Sequence, residues 1–294
     1  MLRAAIAIVL VSTTPAFADG TDRIPGHSVD GQTELAITLG ALSTAVGAMG
    51  LPLWREPRPW HRDIPTDGDY PFSPFAARVS DGTLAVTIAA PLGYLVGPTV
   101  EDADGDRLTI YTETLAVDLA LVQVAKYLVQ RPRPYTYSSD PEVQRYAKSQ
   151  GDDAYMSFYS GHAAMSFGAA VAGAYLLSAS GGSKAERGIA WASGFATAAM
   201  TSMLRVKSGK HFYSDILIGA LVGTAVGYVV PALHATGKPY SPSSSDLDCA
   251  AAGLFVGTIA SEIVPAKRLR ALDRLGFVPM VVPAGSGVAV GGRL

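Results

Sequence analysis

The sequence predicts an all-α protein: a bundle of six or seven helices with a short C-terminal tail that resembles a β-hairpin. Three observations support this prediction. Apolar runs of helical length, rich in alanine and glycine, recur along the 294 residues. Prolines or Ser-Gly turns end most of these runs. Strand-like sequence is confined to the tail, VPMVVPAGSGVAVGGRL, where two short strands would flank AGSG.

The predicted helices follow from where each apolar run begins and stops. They cover residues 35–51, 84–96, 108–130, 162–179, 185–207, 211–230 and 249–264. Pro91 breaks the second of them. Residues 52–80 hold too many prolines and charges for regular structure, so we expect a long loop packed by its aromatic side chains.

The chain divides into four predicted regions: a secretory signal peptide (1–18), an N-terminal helix with the aromatic loop (19–80), a helical core (81–235), and a linker, last helix and hairpin tail (236–294). The signal is indicated by Arg3, an apolar centre and a small-x-small cleavage motif ending at Ala18. Its apolar part is shorter than the roughly 20 residues of a membrane span, which disfavours an uncleaved anchor. Cys249 is the only cysteine, so no intramolecular disulfide is possible.

Charge and apolar content narrow the classes of function and location. With 23 Lys plus Arg against 25 Asp plus Glu, the global charge gives no basis for binding nucleic acid. Apolar residues make up 49% of the chain, charged residues 16%, and the mean hydropathy is +0.25. Glu113 and Asp118 inside one predicted helix would each cost about 2.5–3.5 kcal/mol at a bilayer centre. We therefore expect an exported bundle, soluble or membrane-associated, in the periplasm or at the outer face of the inner membrane; an integral membrane protein is the alternative. No feature indicates an oligomeric state.

Basic residues and histidines cluster at three predicted helix ends. In the first cluster, Lys126 lies in the last turn of a helix and Arg133 is held between two prolines, so both cations can face one point. In the second, Ser160 can cap a helix, Gly161 permits close approach, and the first turn that holds His162 has free N–H groups that can bind an anion. Taken alone, the first cluster is better explained by helix-dipole compensation and the second by an ordinary capped helix.

The third cluster pairs a histidine with a carboxylate. Arg205 closes one helix and His211 opens the next, with Asp215 four residues later on the same helical face. The carboxylate can accept a hydrogen bond from one ring nitrogen and leave the other as a nucleophile, although an ordinary His-Asp pair is the alternative. Together the three clusters offer fixed positive charge, a nucleophile and a proton donor, which are the parts that phosphoryl transfer needs.

The three clusters resemble, in order and spacing, the signature of the type 2 phosphatidic acid phosphatase superfamily, which also contains class A acid phosphatases and vanadium haloperoxidases. The matching residues are Lys126-x6-Arg133-Pro134, Ser160-Gly161-His162 and Arg205-x5-His211-x3-Asp215. Because three spaced motifs must coincide, the resemblance is specific. It covers roughly a third of the chain.

The resemblance implies a role for each matched residue. His211 would attack phosphorus and form a phosphohistidine, Asp215 would hold its tautomer, and His162 would protonate the leaving oxygen and then activate water. The phosphoryl oxygens would be held by Lys126, Arg133, Ser160, Gly161 and Arg205. The resemblance to the phosphatases of the family implies no metal or other cofactor, and the sequence shows no Asp/Glu/His cluster with metal-ligand spacing.

Two positions depart from the usual pattern of the family. Tyr159 stands where a proline mostly precedes Ser-Gly-His, and Leu204 stands where a serine usually precedes the arginine. The missing hydroxyl would remove one phosphate hydrogen bond, worth about 1 kcal/mol. We expect these departures to affect rate more than reaction type.

The expected function is metal-independent hydrolysis of a phosphate monoester in the cell envelope. The substrate would be a phosphorylated lipid or a small phosphate ester, and the sequence does not choose between them. Two alternatives stay open: a vanadate-dependent haloperoxidase that uses the same anion site, and a non-catalytic envelope or lipid-binding protein with the same fold.

Overall fold

The computed structural model of the protein describes residues 27–53, 70–101, 105–265, 275–282 and 285–292. The predicted signal peptide, residues 1–18, lies outside the described residues. So do residues 54–69, which include most of the predicted aromatic loop.

The described residues form nine α-helices, which confirms the all-α class. In chain order they are α1 (Gly31–Gly50), α2 (Pro74–Ala89), α3 (Leu92–Glu101), α4 (Asp106–Val129), α5 (Pro141–Ser149), α6 (Gly161–Ala179), α7 (Lys184–Lys207), α8 (Tyr213–Leu233) and α9 (Ser244–Ile263). Short 3-10 helices cover Pro134–Tyr137 and Gly151–Tyr155. The tail backbone runs as two antiparallel strands, β1 (Leu275–Val282) and β2 (Gly285–Gly292).

The helix count exceeds the predicted six or seven for two reasons. Pro91 separates α2 from α3, so the apolar run 84–96 contributes to two helices. The polar segment 141–149 forms α5, whose start is fixed by Pro141 and by the Asp140 carboxylate, which accepts a hydrogen bond from the Glu142 amide. The predicted loop 52–80 is also too long at its C-terminal end, because Ser73 caps α2 and residues 74–80 are helical.

Helix α6 lies at the centre of the bundle, with nearly all of its residues buried. Helices α4, α7 and α8 pack around it, α1 packs on α4, and α9 packs on α7. Small residues allow this close packing. A Cβ at Gly219 of α8 would lie 2.6 Å from the Ser160 carbonyl oxygen, and the same clash recurs one helical turn later at Gly223.

Four helix ends meet at one end of the bundle. The C-terminal ends of α4 and α7 and the N-terminal ends of α6 and α8 converge there, and segment 130–160 joins them by backbone hydrogen bonds. Tyr135 N–H donates to the Gly209 carbonyl, and Ser160 N–H donates to the Asp215 carbonyl. The three predicted clusters all fall on these ends.

Five described helical segments are long and apolar enough to cross a membrane: Gly31–Gly50, Pro74–Val96, Asp106–Tyr137, Gly161–Ala179 and Tyr213–Leu233. Large apolar side chains project from several of them into the surroundings. Leu217 and Leu221 of α8 are 60% and 59% exposed, and Val46 of α1 is 66% exposed. The outer surface of the bundle is therefore apolar over these segments.

Candidate active site

The buried imidazole of His211 is fixed through one ring nitrogen. Its Nδ1 lies 2.7 Å from the Ser157 carbonyl oxygen, which can only accept a hydrogen bond, so Nδ1 carries the proton. Its Nε2 is therefore unprotonated and accepts a hydrogen bond from Nη1 of Arg133 at 3.2 Å. This tautomer leaves a nucleophilic nitrogen facing a fixed cation.

The charges around His211 keep its imidazole neutral. Burial lowers the pKa of His211 well below its ordinary 6.5, and the positive charges of Arg133, Arg205 and Lys126 lower it further. At neutral pH Nε2 is therefore unprotonated, and it can attack once a substrate takes over its hydrogen bond from Arg133.

Asp215 supports His211 differently from the prediction. Its Oδ2 lies 3.8 Å from His211 Nδ1, beyond hydrogen-bond distance, so the predicted ring-carboxylate hydrogen bond is not formed. Asp215 instead accepts from Ser157 Oγ at 2.5 Å, from the Phe212 amide at 2.9 Å and from Arg131 Nη1 at 2.7 Å. Ser157 also supplies the carbonyl that accepts the hydrogen bond from His211. The Asp215 carboxylate therefore orients the imidazole indirectly, through Ser157.

The guanidinium of Arg133 is only 3% exposed and is held on three sides. Nε donates to the Asp153 carbonyl at 2.7 Å, Nη2 donates to Asp153 Oδ1 at 2.7 Å, and Nη1 donates to the Lys210 carbonyl at 3.0 Å. Burial opposes ionisation of Asp153, but Arg133 and Lys210 outweigh it and hold the pKa of its carboxyl below the usual range. The cation therefore has a fixed position beside His211.

His162 meets a carboxylate that the sequence prediction missed. His162 Nε2 lies 2.7 Å from Oδ1 of Asp81, in the first half of α2. Arg205 Nη1 donates to the same oxygen at 3.3 Å and to Ser80 Oγ at 3.1 Å. The Arg205 guanidinium is buried, and no described residue accepts a hydrogen bond from its Nε. One carboxylate thus links the predicted acid to a predicted phosphate ligand.

The start of α6 brings the remaining predicted residues to the same place. Ser160 is the N-cap, and its Oγ accepts a hydrogen bond from the Ala163 amide at 3.3 Å. A Cβ on Gly161 would lie 2.9 Å from Val122 Cγ1 and 3.6 Å from Lys126 Nζ. Lys126 therefore reaches the N-terminus of α6, and glycine is needed there because α4 passes so close.

The two positions that depart from the family pattern face the core. Tyr159 is 5% exposed and packs with Val122 and Ala164. Leu204 is fully buried against Ala76 and Val264. Both side chains therefore act in packing, and neither adds a polar group to the charged site.

The structure brings all eight predicted site residues to one end of the bundle. It adds five that the sequence analysis missed: Asp81, Arg131, Asp153, Ser157 and Lys210. Arg131 lies within the first motif and Lys210 within the third, at positions that the motifs leave variable. Asp81, Asp153 and Ser157 lie outside the motifs and carry no signal in spacing. The five additions orient or neutralise the predicted residues rather than replace them.

The comparisons with known proteins agree with this geometry. The model of the PAP2 superfamily matches residues 107–238, which include every predicted site residue. No solved structure matches the chain. The family match covers α4 to α8, the helices whose ends form the site, and it confirms the resemblance found in the motifs. The match covers slightly less than half of the chain, and over residues 107–238 the chain is similar to the PAP2 superfamily, whose members are phosphatases or related enzymes.

Proposed function

We propose that the protein hydrolyses a phosphate monoester through a phosphohistidine on His211, without a metal ion in the reaction. The observation that carries this proposal is the His211 tautomer. Nδ1 is committed to the Ser157 carbonyl, while the Nε2 lone pair faces a fixed arginine. The unpartnered Nε of Arg205 is a further donor available to a phosphoryl oxygen.

The two steps of the reaction use the two histidines. His211 Nε2 forms a bond to phosphorus as the bond from phosphorus to the leaving oxygen breaks, and His162 gives a proton to that oxygen. Water, deprotonated by His162, then attacks phosphorus, the N–P bond breaks, and phosphate leaves. Lys126, Arg133 and Arg205 stabilise the charge on the equatorial oxygens in both steps.

In this mechanism Asp81 and the substrate compete for hydrogen bonds from His162 and Arg205. Its side chain is 60% exposed, so it can shift when a phosphoryl oxygen binds Arg205. In the free site its carboxylate orients the His162 ring. We assign it the role of a positioning residue for the acid.

We further propose that the protein is integral to the membrane and acts on a phosphorylated lipid at its outer face. Apolar side chains flank the site where α4 and α8 meet: Leu128 is 58% exposed, Tyr213 is 64% exposed and Leu217 is 60% exposed. The Arg131–Asp215 ion pair joins these two helix ends beside His211. An acyl chain lying against this surface would place its phosphate near the charged site.

One experiment tests the reaction and the substrate class together. The purified protein and its His211→Ala variant are given a soluble aryl phosphate and lipid phosphates in detergent micelles, with a chelator present, and phosphate release is measured. We expect no effect of the chelator on the initial rate, complete loss of turnover in the variant, and faster release from the lipids.

Equal release by the two forms would refute the phosphohistidine mechanism. A higher rate on the soluble ester would refute the lipid assignment alone. Vanadate-dependent halide oxidation without phosphate release would favour the haloperoxidase alternative. Circular dichroism of the variant checks that its helices are intact.

A further inference from the structure

Three buried ionisable side chains meet at the end of the bundle opposite the phosphatase site. Glu34 of α1, Glu113 of α4 and His234, directly after α8, are 8%, 5% and 8% exposed. One ligand atom from each lies within 4.8 Å of the others. Helix α8 separates this cluster from His211 by its 21 residues, or about 30 Å at the usual helical rise.

The imidazole of His234 is oriented as metal-binding histidines are. Its Nδ1 lies 2.8 Å from the Val230 carbonyl oxygen, so Nδ1 carries a proton and donates it there. Nε2 then points at the two carboxylates, 3.2 Å from Glu34 Oε1 and 3.3 Å from Glu113 Oε2. A backbone carbonyl on the other ring nitrogen is the usual outer contact of a metal-ligating imidazole.

The two buried carboxylates accept fewer hydrogen bonds than buried charged groups need. Among the described residues, no hydrogen bond reaches Oε2 of Glu34, and Oε2 of Glu113 faces Nε2 of His234 at 3.3 Å. Two carboxylates and a neutral imidazole carry a charge of about −2 in a site closed to water, and such an arrangement is costly without a cation. The two buried carboxylates, with one oxygen of Glu34 unpartnered, therefore point to a positive charge between the three side chains.

We propose that Glu34, Glu113 and His234 bind a divalent transition-metal ion, with Zn²⁺ as the best-fitting type. In a tetrahedron with metal-ligand bonds of about 2.0–2.1 Å, neighbouring ligand atoms lie about 3.3–3.4 Å apart. The two measured distances from Nε2 match that edge. The mixed carboxylate and imidazole donors suit Zn²⁺ better than Ca²⁺ or Mg²⁺, and a water can occupy the fourth position.

The sequence analysis found no cluster with metal-ligand spacing, and the proposed site has none. The three ligands are far apart in the chain, so no spacing motif could reveal them. The inference does not depend on the proposed reaction, because the ion would lie far from His211. Its role would be structural: it would tie α1, which precedes the matched family region, to α4 and α8.

The rival occupant is a proton. Hydrogen bonding to Glu113 raises the pKa of His234 to about 9, against the opposing effect of burial, so an imidazolium can lie between the two carboxylates. That state keeps a net negative charge and binds no metal. Direct metal binding separates the two occupants.

The test is a Zn²⁺ titration of the full chain in detergent micelles after its metal has been stripped with a chelator. We expect about one tightly bound ion per chain and a rise in the unfolding temperature on binding. Glu113→Gln and His234→Gln should weaken binding more than about 100-fold and abolish the temperature shift. Glu142→Gln, an exposed glutamate on α5, is the matched control and should bind as the wild type does.

The proposal is overturned if the stripped wild-type protein binds no Zn²⁺ at micromolar concentration. It is also overturned if both ligand variants bind as tightly as Glu142→Gln. Circular dichroism shows whether a variant has folded. If it has not, Zn²⁺ binding by the wild type still tests the proposal. Phosphate release is measured on the same samples, so that the proposed reaction and the proposed metal site are tested separately. The wild type can lack turnover and still bind the ion.

Discussion

The two site histidines differ because their ring nitrogens meet different oxygens. Nδ1 of His211 meets a neutral carbonyl, which fixes a tautomer but adds no negative charge. Nε2 of His162 meets the carboxylate of Asp81, which orients the ring. The two rings therefore have different surroundings, and the proposed roles of His211 as nucleophile and His162 as proton donor are those that the family resemblance implies.

Replacing the proposed acid should make the rate depend strongly on the leaving group. In His162→Ala, hydrolysis of an alkyl phosphate should fall about 10²–10⁴-fold, because an alkoxide leaves poorly without a proton. Hydrolysis of a nitrophenyl phosphate should fall much less in the first step, since nitrophenolate leaves unprotonated. Single-turnover rates on both esters measure this difference, and an equal loss on the two would contradict the assignment of His162 as acid.

The residues proposed to contact phosphate could be predicted from the sequence, whereas the residues that orient them could not. Lys126, Arg133 and His211 lie in short motifs with fixed spacing at helix ends. Asp81 and Ser157 come from other parts of the chain, and only tertiary packing brings them to the histidines. The prediction for Asp215 failed in its geometry for the same reason: helical spacing placed it beside His211, but Ser157 took the hydrogen bond.

At the scale of helices, α6 and α8 determine the shape of the site. Gly219, Gly223 and Gly227 recur every fourth residue along α8 and face backbone oxygens of α6 and its N-cap. This contact sets how near the start of α8, which carries Asp215, lies to Ser160 at the start of α6. Packing far inside the bundle therefore positions the two helix N-termini at its end.

Enlarging the middle glycine should separate these helices. A Cβ in Gly223→Ala would clash with the Ala164 carbonyl oxygen, which is backbone and cannot turn aside. We expect a loss of about 1–3 kcal/mol in the free energy of unfolding, together with lower turnover. Gly47→Ala is the matched control, because a Cβ there meets nothing within 4 Å. Reaction of the partly buried Cys249 with a thiol-reactive fluorophore during heating gives the unfolding temperature; equal values for the two variants would contradict this account.

Helices with long apolar runs could be predicted from the sequence. Helical segments that are stabilised by packing or by a cap, without a long apolar run, were missed. Helix α5 is short and polar, and it is held by Val143 and Tyr146 against Tyr135 and Phe72. The first turns of α2 lie in a segment with prolines, but a cap at Ser73 and Pro74 at the first helical position start the helix there. Neither helix has the apolar run on which the prediction relied.

The two ends of the helical bundle differ in chemistry and are separated by about the thickness of a bilayer. Helix α8 runs its 21 residues from the phosphatase end to the Glu34–Glu113–His234 end, about 30 Å, which is the thickness of a hydrocarbon core. Exposed leucines and valines cover the surface between the two ends. This arrangement fits a protein that spans the membrane and presents a different site on each side.

The proposed orientation can be tested with single cysteines in a Cys249→Ser background. Ser139→Cys lies in the exposed segment before α5, at the phosphatase end, and Thr236→Cys lies in the exposed turn after α8, at the opposite end. If the bundle spans the membrane with its site outside, a membrane-impermeant maleimide should label the first cysteine in intact spheroplasts and the second only after lysis, because the reagent cannot cross the bilayer. The reverse pattern would invert the orientation, and labelling of both cysteines in intact spheroplasts would show that the two ends lie on one side, which contradicts a spanning bundle.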